Sequence, residues 1–157
     1  MTEPLPSTIT AWIALQTVSR TLLETVEADL AASDLPDLSW YDALFEIEKT
    51  GETGIRPFAL KDKLLLPQYG TSRLLDRMVK AELIVRIPSP VDGRGHLVAV
   101  TAAGRSLRRR MWPVYAAGLK RLVEERLTSD EAEILAQLLG RLRHGLPSPE
   151  ASPNARS

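Results

Sequence analysis

The chain has 157 residues, 44% of them hydrophobic and 25% charged, which is ordinary globular composition and enough length for one domain with a real core. It has no cysteine, which excludes disulfides, thiolate metal sites and cysteine-based redox sensing; with only His96 and His144, a zinc site would have to lean on carboxylates. The formal net charge is zero but unevenly spread: residues 1–55 carry two basic and ten acidic side chains, residues 56–110 twelve basic and four acidic, and the remainder six of each.

Residues 1–8 read as a disordered tail. The start MTEPLPS has no basic residue, and no apolar run approaches the roughly 18 residues of a membrane span, so a soluble cytoplasmic protein is expected. From Ile9 to about Ala32, apolar residues recur at Trp12, Leu15, Val18, Leu22, Val26 and Leu30, one stripe along a long helix that Leu35-Pro36 ends. Ser39 is expected to cap a second helix, with Asp42 three residues on and Leu38 as a staple. Trp40, Ala43, Leu44 and Ile47 form its buried side.

Gly51 and Gly54 break the chain, and Pro57 suits the first turn of a short third helix, PFALKDKL. Residues 64–67 turn into a fourth helix expected to start near Pro67. On it Thr71, Leu74, Leu75, Met78 and Glu82 share the inner side, while Gln68, Tyr69, Ser72, Arg73, Asp76, Arg77 and Lys80 share the outer one. Two β-type runs then flank the tip Asp92-Gly93-Arg94-Gly95-His96 and make a hairpin over about residues 85–100. An isolated hairpin is marginal in water, so this one must lie against the helices.

Thr101 caps a long helix whose stripe includes Leu107, Met111, Val114, Gly118 and Leu122, and Pro113 is expected to kink it. Thr128 with Glu131 makes a capping box for a last helix that Gly145 and Pro147 stop. The Pro/Ser-rich residues 146–157 read as a disordered tail. The whole is a mainly α (α+β) chain, a winged helix-turn-helix. Residues 9–145 form one domain, with dimerisation helices at 9–35 and 104–145 around a DNA-binding lobe at 39–101.

No catalytic constellation is visible. Glu46 and Glu48 point to different helix faces, Glu124 and Glu125 diverge, and neither histidine has a nucleophile to serve, so neither an enzyme nor a cofactor is expected. The outer set on the fourth helix instead holds the side-chain types that hydrogen-bond base edges and phosphates. Arg73 is expected in the groove, while Arg77 stands open between groove contact and scaffold. Arg94, between two glycines, is the tip contact; Asp92, repelled by phosphate, holds Arg94 or the turn.

The run Thr71-Ser72-Arg73-Leu74-Leu75-Asp76-Arg77-Met78, then Pro88-x-Pro90-x-Asp92-x-Arg94-Gly95 and Leu97-x-x-Val100-Thr101-x-x-Gly104, resembles the recognition helix and wing of the MarR family of winged-helix regulators. The resemblance covers about residues 66–104. It implies a homodimer whose first and last two helices interlock on a pseudopalindromic double-stranded operator, usually as a repressor that releases DNA when a small, often phenolic, ligand binds. It also implies that Thr71, Ser72 and Arg73 enter the major groove and that Arg94, oriented by Asp92, enters the minor groove. Gly93 and His96 stand where family members often carry further basic residues. Effectors of the family sit between the dimer helices and the DNA-binding lobe, near Trp12, Trp40, Tyr41, Phe45 and Tyr69. At helical spacing these read as core, so no ligand contact is assigned. The rival expectation is a winged-helix dimer whose basic block docks an acidic protein partner.

Overall fold

A computed structural model describes residues 2–65, 70–91 and 95–146. The first helix, α1 (Pro6–Ala32), starts three residues before the expected Ile9, because Pro6 fits a first helical turn where no N–H is needed. Its 27 residues span roughly 40 Å, yet only Val26 and Leu30 are buried, while Ile9, Trp12, Ile13 and Val18 face outward. No helix among the described residues is long and apolar enough to cross a membrane.

The second helix, α2 (Leu38–Glu48), begins two residues earlier than the expected cap at Ser39 allows. Asp37 is the N-cap residue and Ser39 Oγ donates to its carboxylate, so Leu38 lies inside the helix and is buried instead of serving as a staple before it. The Leu38 N–H is satisfied from another element, donating to Glu27 Oε1 of α1 at 3.0 Å. Asp42 is buried on α2, and its Oδ2 accepts the Leu65 N–H at 2.6 Å, tying α2 to the chain beyond α3 (Pro57–Lys61).

The fourth helix, α4 (Thr71–Lys80), does not run from Pro67. Gly70 is its N-cap residue at φ 97°, a left-handed conformation through which no right-handed helix continues. At its other end Glu82 takes φ 60° just past the helix and the Leu83 N–H donates back to Met78 O at 3.0 Å, a left-handed termination. Glu82 is therefore exposed beyond the helix and is not part of its inner side.

Strands β1 (Ile84–Pro88) and β2 (His96–Val100) pair antiparallel, with Ile84 opposite Val100 and Pro88 opposite His96. The hairpin gains a third partner that the sequence reading missed. Ile55 exchanges two backbone bonds with Val98, each 2.9 Å, and Gly54 lies so close that a Cβ would sit 2.8 Å from Val98 O. One core unites the elements: Leu30, Leu44, Ile47, Leu60, Leu75, Met78, Ile84, Val98 and Met111 are fully buried.

At the ribbon's end Thr101 Oγ1 donates to Glu82 O at 2.7 Å and accepts the Gly104 N–H at 3.1 Å, capping α5 (Ala102–Leu119). The helix continues through Pro113 and passes into a π-helical turn, Lys120–Glu124. Gly118 packs on Val26 beside an Arg121–Asp29 ion pair of 2.7 Å, which fastens α5 and the turn to α1. The expected capping box opens α6 (Ser129–Arg143): the Glu131 N–H donates to Thr128 Oγ1 and the Thr128 N–H to Glu131 Oε2, at 3.2 and 2.9 Å. Nothing on α6 is buried, and Ile134, Leu135, Leu138, Leu139 and Leu142 are exposed.

Candidate nucleic-acid interface

Helix α4 divides by its 3.6-residue period. Leu74, Leu75 and Met78 turn into the core, and Ser72, Arg73, Asp76, Arg77 and Lys80 are exposed along the opposite side. Thr71 falls on the packed side: it is 6% exposed, and among the described residues its Oγ1 has no hydrogen-bond partner. As its position in the helical period implies, Thr71 shares its face with Leu74, Leu75 and Met78, while its backbone stands in the first turn beside Ser72 and Arg73. Gln68 and Tyr69 before the helix, and Asp92 and Arg94 at the ribbon tip, lie outside the described residues.

Arg77 is exposed, with its guanidinium 5.5 Å from the centroid of the Trp40 ring on α2, so it leans on the scaffold while it faces solvent. Asp76 pairs across elements with Arg86 of β1, not with a neighbour on its own helix. The Nε of Arg86 also donates to Nε2 of His96 on β2 at 3.3 Å.

Arg56 is a further member of this surface that sequence reading counted only as charge. The bond pair at Ile55 carries it to the ribbon, where Nη2 donates to the buried Ser89 Oγ at 3.0 Å. Its Nη1 lies 3.8 Å from where a Cβ on Gly95 would stand. The signal that could have found it is the break at Gly51 and Gly54 followed by a single β-branched residue.

Behind the lobe, Tyr41 and Phe45 of α2 meet Trp112 and Tyr115 of α5. Tyr41 stacks on Phe45 and on Trp112, each at 6.0 Å, and meets Tyr115 edge-on at 5.2 Å. Arg108 pairs with Glu48 at the rim and lies 5.9 Å from the Phe45 centroid. The Glu48 hydrogen bond holds the guanidinium above its ordinary pKa, and burial pushes the Tyr115 phenol up. Of the aromatics expected near an effector, Tyr41 and Phe45 belong to this group, Trp40 lies beside Arg77 and Trp12 is exposed on α1. Among the described residues no group of histidines and carboxylates is placed to hold a metal ion.

A short helix, a turn, a second helix with an outward polar face and a two-stranded ribbon define a winged helix-turn-helix protein. Residues 33–95 match the model of the MarR family. Over 85 residues the chain is 33% identical to the multiple antibiotic resistance protein MarR of Escherichia coli K12, covering 54% of this chain and 59% of that one. The chain thus spans a little over half the length of the curated relatives it matches. Among solved structures, Sco3205, a MarR family transcriptional regulator from Streptomyces coelicolor in complex with DNA, superposes with a TM-score of 0.84 at 20% identity, covering 97% of this chain and 96% of that one. The organohalide-sensing regulator RdhR-CbdbA1625 in its 2,4-dichlorophenol-bound form superposes at 0.74 with 17% identity, covering 88% and 80%. These matches show a winged helix-turn-helix fold, similar over residues 33–95 to the MarR family.

Proposed function

We propose that this protein is a sequence-specific double-stranded DNA-binding transcriptional regulator that works in the cytoplasm as a homodimeric repressor. The observation that carries the reading is the juxtaposition of the outward face of α4, with Ser72, Arg73, Arg77 and Lys80, and a ribbon within the basic third of a neutral chain. Ser72 and Arg73 enter the major groove, joined by Gln68, Tyr69 and the backbone at Thr71. Arg77 contacts the backbone while it rests on Trp40. Arg94 enters the minor groove, held by Asp92.

The exposed apolar residues of α1 and α6 supply the dimer interface, since such helices gain little from folding alone. Two-fold symmetry then sets half-sites about one DNA turn apart on a pseudopalindromic operator. The aromatic group on α2 and α5 lies where the long helices meet the lobe, and a small aromatic effector bound there releases the DNA. The test is selection of bound fragments from the organism's own genome, with affinity measured by fluorescence anisotropy. Arg73→Ala and Arg94→Ala variants that both bind as tightly as the parent would sink the reading.

A further inference from the structure

Helix α4 carries one carboxylate on its polar face. Asp76 stands one turn beyond Ser72 and beside Arg77, on the side proposed to meet phosphates, where an uncompensated negative charge would be repelled. The compensation comes from the ribbon. Arg86 donates Nη2 to Asp76 Oδ1, while its Nε donates to Nε2 of His96. The pleat explains why both strands take part: Arg86 is opposite Val98, so His96, two residues before Val98, lies on the same face of the ribbon. Donation to Nε2 needs that nitrogen unprotonated, a tautomer assigned from the contact itself. Arg86 and Asp76 are 38% and 64% exposed, so the pair adds little to folding stability, yet it bridges the two elements that must enter adjacent grooves together.

We infer that Asp76, Arg86 and His96 are positioning residues that fix the angle between the ribbon and α4, and so set the register in which one half-site is gripped by both. The inference rests on the DNA-binding reading. It assigns the carboxylate on the reading face to internal geometry and not to contact with a base.

The full chain is tested on a genomic fragment selected by the parent protein, using Asp76→Asn, Arg86→Gln, the double variant and His96→Ala. Each of the first two is expected to weaken binding about tenfold, and the double variant to bind no worse than the weaker single, because both remove one link. His96→Ala produces a smaller loss in the same direction. Thermal midpoints stay near the parent's, and footprints lose minor-groove protection beside each half-site before major-groove protection. The salt slope of Arg86→Gln equals the parent's, whereas a direct phosphate contact would lower it by about one. Additive losses, a lowered salt slope, relaxed preference at one base pair in Asp76→Asn, or unchanged affinity in both singles would each overturn the link while leaving DNA binding intact. A parent protein that selects no fragment overturns the DNA-binding reading and the link with it.

Discussion

Gly104 has no room for a methyl group: a Cβ there would stand 2.2 Å from the Leu83 carbonyl oxygen and 2.8 Å from Val100 Cγ2. The close neighbour is backbone, which cannot swing aside, so Gly104→Ala is expected to cost about 2 to 3 kcal/mol in urea unfolding. The Thr-x-x-Gly spacing marked this glycine in the sequence, but the oxygen that forbids a side chain is that of Leu83, across the whole ribbon in the chain. Thr71 is a different case. Its buried, unpartnered hydroxyl makes Thr71→Val neutral or stabilising by up to about 1 kcal/mol in the same assay, with affinity for the operator unchanged. Arg73→Ala, by contrast, should weaken operator binding by about 1 to 3 kcal/mol while leaving unfolding untouched, since Arg73 is exposed.

At the scale of elements, boundaries set by local chemistry were legible. Thr128 and Glu131 form their reciprocal cap, and Thr101 caps α5. Thr128→Ala is expected to lower stability by about 1 kcal/mol, read from the thermal midpoint. Boundaries set by distant partners were not legible. Helix α2 starts before Ser39 because Glu27, eleven residues upstream, accepts the Leu38 N–H, and the bridge at Ile55 depends on a strand more than forty residues away. The same limit hid the Arg56–Ser89 bond, 33 residues apart in the chain, and the link from Asp76 to Arg86, ten apart but on a helix and a strand whose packing sets their approach.

Glu27 also makes stability depend on pH. Burial raises its pKa above the ordinary 4.5, opposed by the Leu38 bond and aided by Asp37. A raised folded value means that the folded state holds the proton more tightly. This group's stabilising contribution is therefore full below 4.5 and is lost as pH rises through the folded value. Glu27→Gln keeps an oxygen acceptor without the charge. It should raise the thermal midpoint slightly at pH 7 and lose that advantage as the solution is acidified below about 4.5.

For the whole molecule, the apolar face of α6 and the outward residues of α1 are hydrophobic surfaces that the single chain leaves uncovered. Size exclusion should give about twice 17.4 kDa, and Leu138→Glu with Leu142→Glu should return it to one chain. The parent's thermal midpoint should then rise with protein concentration and the variant's should not. The Thr101 hydroxyl joins this framework to the reading surface, since one oxygen holds both the carbonyl of Glu82 that ends the α4 turn and the Gly104 N–H in the first turn of α5. A displacement of α5 would therefore be felt directly at the root of the ribbon. Thr101→Val keeps the volume and removes both bonds, so under the proposed function it is expected to leave DNA affinity near the parent's and to weaken effector-driven release, both read by fluorescence anisotropy.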